Sequence, residues 1–241
     1  RFDERRTFGG STIFLKKRIE EKPLTDDERL HIGLLHADQT RGNALIGYSM
    51  LVDYVRRHPD DAAVLKALSE LAERLGRPEE RLKYLERLAA LTPNDPVILE
   101  RFAWLKYSTE RPLSSSFAPF NADVSERLLK QCVELSGDTV DYYHAKLGDF
   151  YFGTQQFRPA LESFRRALQI REKYQPDPRL RQDALLLQLA KCFRHLGDSG
   201  RAAGYALQAA SINPRNEEAK ELVYSIWTLG STLPRDSAKK R

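Results

Sequence analysis

The chain has 241 residues, 41% of them apolar and 30% charged, a balance that supports a buried core and excludes a disordered polymer. No apolar run reaches the roughly 18 to 20 residues of a membrane-spanning helix, and two cysteines exclude a disulfide-dense scaffold or an all-thiolate zinc site. The net charge of +5 raises nucleic acid as a partner, a reading that depends on where along the chain the excess sits.

Residues 1–27 begin Arg1-Phe2-Asp3-Glu4, without an initiator Met and without the basic-then-apolar pattern of a signal peptide. That start reads as a segment of a longer protein, with the bacterial periplasm favoured over the cytoplasm; the bacterial source is inferred from 26 Arg against 13 Lys. Ser11 is placed to N-cap a helix that runs to Glu21 and stops at Pro23, either a cap or the remnant of an upstream repeat.

From residue 28 the chain repeats itself. The punctuation RHPDD at 57–61 returns as LTPNDP at 91–96 and SINPRN at 211–216, and Pro59 and Pro93 lie 34 residues apart. Before each proline stand two amphipathic helices joined by a short polar or glycine-containing turn. The copy at 28–61 has His31, Leu34 and Leu35, then Gly47, Leu51, Tyr54 and Pro59, with Asp38 where a large aromatic is expected. In 62–95 come Leu65, Leu68, Ser69 and Ala72, a turn at Gly76, then Leu85, Leu88 and Pro93, with Arg81 where a small residue is expected.

The copy at 96–140, with Leu99, Phe102 and Ala103, then Leu128, Cys132 and Leu135, is stretched by a Ser/Pro-rich insertion at 110–124. Within 141–182 the first helix carries His144, Leu147, Gly148 and Tyr151, and the second Ala160, Phe164 and Ala167. At 183–216 stand Leu186, Leu189, Ala190 and Phe193, a turn at Gly197, then Ala202, Ala206, Ala209 and Pro214. Residues 217–230 restate the first-helix pattern with Val223, Tyr224 and Trp227, as a helix capping the last repeat, and 231–241 form a basic tail.

This pattern resembles the tetratricopeptide repeat over residues 28–230, on five registered copies. The resemblance implies an all-α, right-handed superhelical solenoid of antiparallel helix pairs, working as a non-catalytic scaffold that binds a partner protein or peptide. Stacked pairs form an arc whose concave wall is lined by the first helices. There the outward stripe holds Lys66, Glu70, Glu100, Trp104, Tyr107, Tyr142, Asp149, Phe152, Lys191 and Arg194. Aromatic side chains among charges suit peptide binding, because rings bury much area at low entropy cost and charges set register. Chaperone-binding members of the family share a Lys/Asn clamp, whereas the matching positions here are Ile32, His36, Lys66 and Glu70, so a chaperone adaptor is disfavoured. Phe117 and Phe120 in the insertion are candidate partner anchors, weighed against folding back onto the convex side.

Signs of chemistry are sparse. His31 and His36 lack the Glu of a metalloprotease motif, His31 and His144 share one buried repeat position, and Cys132 and Cys192 fall on packing faces. TFGGST at 7–12 lacks the Gly-Lys-Ser/Thr ending of a phosphate loop and reads as a turn. No catalytic residue, metal site or cofactor is therefore assigned. A regulatory module of an attached enzyme and an RNA-binding helical repeat are the rival readings, and exopolysaccharide export or secretion is the family setting of similar bacterial arrays.

The charge settles one rival. Residues 28–230 hold 28 basic and 27 acidic side chains, whereas 231–241 hold four and one. The excess sits mostly in the tail, which argues against nucleic acid and leaves a protein partner, without membrane insertion but compatible with a membrane-associated complex.

Overall fold

A computed structural model describes residues 23–38, 43–110, 122–174 and 182–231. Among them are eleven helices and no strand: α1 (Asp26–Ala37), α2 (Ala44–Val55), α3 (Ala62–Arg74), α4 (Pro78–Leu91), α5 (Pro96–Glu110), α6 (Asp123–Leu135), α7 (Asp141–Gly153), α8 (Phe157–Tyr174), α9 (Asp183–His195), α10 (Ser199–Ile212) and α11 (Glu217–Ser231). The Ser11 helix, the TFGGST turn, Phe117, Phe120 and residues 232–241 lie outside the described residues. The helices group into two compact units, one holding α1–α4 and α5 from Trp104, the other holding α5 up to Ala103 and α6–α11.

In the first unit, α1, α2 and α3 start where a side chain can take up free N–H groups. Thr25 and Glu28 form a reciprocal capping box at α1, Asn43 Oδ1 accepts from the Leu45 and Ile46 N–H groups, and Asp61 Oδ1 accepts from that of Val64. Proline opens α4, where its missing N–H costs nothing. Leu51, Val64, Leu65, Leu68, Leu71 and Ala72 are fully buried. Arg81, the misfit in this copy, is tied by Nη1 to Glu73 Oε1 at 3.0 Å, while its buried Nε lacks an acceptor.

The first copy departs from the expected register. His31 is exposed and Leu34 and Leu35 are 41% and 61% exposed, while Ile32, Gly33 and His36 are buried. The cause is the connection: six residues, 38–43, join α1 to α2, where three join α3 to α4, α7 to α8 and α9 to α10. A register counted back from Pro59 on a fixed 34-residue unit therefore falls two residues late on the first helix. Gly33 then matches Gly148, and each faces the second helix of its pair: a Cβ on Gly33 would collide with Leu51, and one on Gly148 would lie 2.6 Å from the Phe164 ring.

The second unit shows the repeat most clearly. Helices α7 to α11 pack in sequence, each on the next. Phe150, Ala160, Ala167, Leu189, Ala190, Ala202, Ala206 and Ala209 are wholly buried, the small residues allowing close helix approach. Both hairpins close through a left-handed residue, Gln155 (φ +62°) and Gly197 (φ +82°), and the following N–H reaches back to the Tyr151 carbonyl at 2.8 Å and the Phe193 carbonyl at 2.9 Å. Gly76 (φ +66°) does the same after α3. Cys132 is buried on α6 and its thiol donates to the Pro96 carbonyl at 3.3 Å.

Three copies share a contact that their sequences do not advertise. The first residue of the first helix is an Asp whose carboxylate grips the chain about 30 residues later, in the last turn of the second helix or just past it. Asp141 Oδ2 accepts from Arg171 Nε at 2.7 Å and Nη2 at 2.5 Å; Asp183 Oδ2 accepts from Asn213 Nδ2 at 2.8 Å and Asn216 Nδ2 at 3.1 Å. Asp26 meets Arg57 at 2.7 Å and His58 at 3.1 Å. The spans from Asp26 to Arg57 and His58 are one and two residues longer than that from Asp141 to Arg171, in keeping with the longer connection of the first copy.

The final helix buries Ala219, Leu222 and Val223 against α9 and α10. Tyr224 and Trp227, expected to continue the first-helix pattern, are instead 71% and 61% exposed. In the repeat, their positions face the second helix of the same pair, and none is described after α11.

Candidate functional site

Six of the ten expected groove residues belong to the second unit: Glu100, Tyr142, Asp149, Phe152, Lys191 and Arg194. They project from the first helices α5, α7 and α9, and polar contacts join each helix to the next. Glu100 is buried, and its Oε1 accepts from Tyr142 Oη at 3.2 Å and lies 3.9 Å from Lys146 Nζ. Lys146 also stands 5.4 Å over the Tyr142 ring, a cation–π contact that fixes an otherwise 47% exposed tyrosine. One step on, Asp149 feels both Lys146 and Lys191, and Lys191 pairs with Glu218 of α11 at 2.5 Å.

Burial holds the Asp149 carboxyl above the usual carboxylate range despite the two lysines. Tyr142 is pushed up to about 12 by burial and by the Glu100 carboxylate, so its hydroxyl stays protonated and donating. Beyond Asp149 the row turns aromatic. The Phe152 ring lies edge-on to Phe157 and to His195, 5.4 Å from each, and Phe157 and His195 stack at 4.2 Å. Arg194 is exposed beside them.

Lys146 is not among the expected residues, although the helical period signals it: four residues after Tyr142 and three before Asp149, it shares their face. The other four expected residues belong to the first unit. Lys66 is exposed and Glu70 and Trp104 are half-buried. Tyr107 is 5% exposed, its ring 5.6 Å from Trp104, so it packs the interior and is removed from the binding surface.

Among the described residues no group of three or more His, Cys, Asp or Glu side chains is arranged to hold a metal. Burial pushes both thiols, Cys132 and Cys192, up to about 12, which leaves them protonated and poor nucleophiles. His144, buried as expected, is bound to Asp138 of the preceding turn, which also holds Arg166 of α8. No described helix is long and apolar enough to cross a membrane.

The small residue facing the second helix, the left-handed turn and the Asp contact recur at one register, as a helix-turn-helix repeat requires. The tetratricopeptide-repeat profile matches residues 62–105 and again 142–174. The chain is a tetratricopeptide-repeat protein.

Several solved structures share its fold. YrrB, described as a TPR protein with an unusual peptide-binding site, superposes with a TM-score of 0.64 at 12% identity, over 86% of this chain and 95% of its own. MamA of Desulfovibrio magneticus gives 0.61 at 14% identity over 78% and 97%, and the thermophilic TPR protein TTC0263 of Thermus thermophilus gives 0.53 at 16% over 85% and 100%. At such identities the likeness is one of fold alone. No curated protein sequence matches the chain. As a tetratricopeptide-repeat protein the chain is an all-α interaction scaffold for protein or peptide partners.

Proposed function

We propose that the protein is a non-catalytic scaffold whose second unit binds an extended peptide segment of a partner along the first helices α5, α7, α9 and α11. The observation that carries this reading is the continuous side-chain row Glu100, Tyr142, Lys146, Asp149, Lys191, Glu218, which crosses four successive first helices and borders the Phe152, Phe157 and His195 rings. A peptide backbone offers donors and acceptors at every residue, and this row offers both, from the Tyr142 hydroxyl to the carboxylates and lysines. The aromatic end supplies the apolar pocket that an anchor side chain needs. Glu100 acts through Tyr142 and Lys146, since it is itself buried. The near balance of charge along the repeats supports a peptide over RNA. No comparison points to exopolysaccharide export, and that setting forms no part of the proposal.

The test is selection of peptides from a random display library on the intact chain, then affinity measurement with Tyr142→Ala, Asp149→Asn and Phe152→Ala. Each variant is expected to weaken the selected peptides about tenfold or more, the effect of losing one good contact, with helical circular dichroism unchanged. Equal affinity in all three would remove the face from the function. Preferential binding of polyuridine, lost steeply on raising salt, would favour the RNA reading.

A further inference from the structure

The charges of the groove row alternate in sign. From α5 to α11 they run Glu100, Lys146, Asp149, Lys191, Glu218, with a carboxylate at each end and one in the middle. Three carboxylates against two ammonium groups leave the row one positive charge short, and the shortfall falls on Asp149. Lys146 turns to Glu100, 3.9 Å away, and to the Tyr142 ring, while Lys191 turns to Glu218 at 2.5 Å. Both lysines act on Asp149 through space without donating a hydrogen bond to it, and among the described residues no other side chain pairs with its carboxylate. A half-buried carboxylate has given up part of its water, and only a donor from outside the row can make good that loss. One turn further along α7 stands Phe152, with the Phe157 and His195 rings against it.

We infer, on the peptide-binding reading above, that Asp149 sets the specificity of the groove by pairing with an arginine of the partner peptide, whose neighbouring apolar side chain seats among the rings. Arginine fits on three counts. Its charge is the one the row lacks. Its planar fork can present two N–H donors to one carboxylate, and a guanidinium sheds water more readily than an ammonium group, which matters at a half-buried acceptor. Its methylene stem can lie along the aromatic wall that begins at Phe152. Lysine fits less well, since the protein's own Lys146 and Lys191 stand within electrostatic range of Asp149 and settle on Glu100 and Glu218 instead. Arg194, exposed beside the rings, opposes a second cation there, so the ring end takes an uncharged side chain.

The probe is a random peptide display library selected on the intact chain. Selected sequences are expected to share an arginine a few residues from an aromatic or aliphatic side chain. Replacing that arginine by citrulline, which keeps the shape and removes the charge, should weaken a synthetic peptide at least about tenfold. In Asp149→Asn, a substitution close in size that leaves helical circular dichroism unchanged, the arginine and citrulline peptides should bind alike. Asp149→Arg should turn the preference towards a peptide with glutamate in place of the arginine. Citrulline costing as much in Asp149→Asn as in the parent would overturn the arginine assignment and leave the peptide-binding reading in place. So would selected peptides that depend on Tyr142 and Phe152 but carry no arginine. A library that yields no binder would overturn both.

Discussion

Asp149 sits half-buried between two lysines, yet burial outweighs them and its carboxyl titrates above the unfolded value near 3.8. The sign follows from linkage: with the folded value raised, the charged form costs stability above the folded value. That cost disappears as pH falls through the folded value towards the unfolded one. Asp149→Asn should therefore raise Tm at pH 7, and the gain should fade on acidification and vanish below about pH 3.8, where both forms are neutral. Thermal melts of the two proteins across that range measure it; a gain independent of pH would mean that packing, and not charge, is responsible. The same substitution is expected to weaken peptide binding, so stability gained with binding lost would mark a charge retained for recognition. Tyr142 makes the complementary case, because its hydroxyl is already committed to Glu100 and stays protonated through the working range.

At the level of helices, the Asp contact across each pair does what packing alone cannot: it fixes where the second helix ends relative to the start of the first. Asp141 is buried and Arg171 largely so, and the two hydrogen bonds between them are charge-assisted. Asp141→Ala should cost about 2 kcal/mol by removing two charge-assisted hydrogen bonds from a largely buried guanidinium, measured by urea unfolding. Arg171→Met, which removes the largely buried charge as well, should recover part of that loss in the Asp141→Ala background. If the two substitutions add without coupling, the contact is incidental. Helix pairing was legible in the sequence because small residues, turn glycines and prolines recur at fixed spacing. The Asp contact was not, since an Asp at a helix start reads equally well as a cap or a solvated charge. The first-copy register is misplaced for a related reason: the longer turn leaves no mark in the apolar pattern, whereas Thr25 and Glu28, the capping box that fixes the start, stand at the T-x-x-E spacing that signals a helix beginning at Asp26. The ladder was partly legible, through Tyr142, Asp149 and Lys191, but the burial of Tyr107 depends on neighbours that helical periodicity alone does not specify.

For the molecule as a whole, stability in a repeat array is the sum of each pair and its nearest neighbours, so protection should follow local packing and not distance from the chain ends. The α7–α8 and α9–α10 pairs combine wholly buried Phe150, Phe164, Leu189 and three alanines of α10 with an Asp contact each. The α1–α2 pair has a short first helix with Leu34 and Leu35 turned outwards, a six-residue connection, and an Asp contact made on the exposed Arg57 and His58. Hydrogen exchange read by mass spectrometry should accordingly show α1 and α2 exchanging before α7–α10, with α8 and α9 among the slowest. The α11 helix supplies a control, because its N-terminus is held through Asn216 by Asp183. In Asp183→Ala, α11 should open earlier while α1 and α2 keep their rates. Protection lost throughout the chain in that variant would show a single cooperative unit, and the nearest-neighbour account would have to be abandoned.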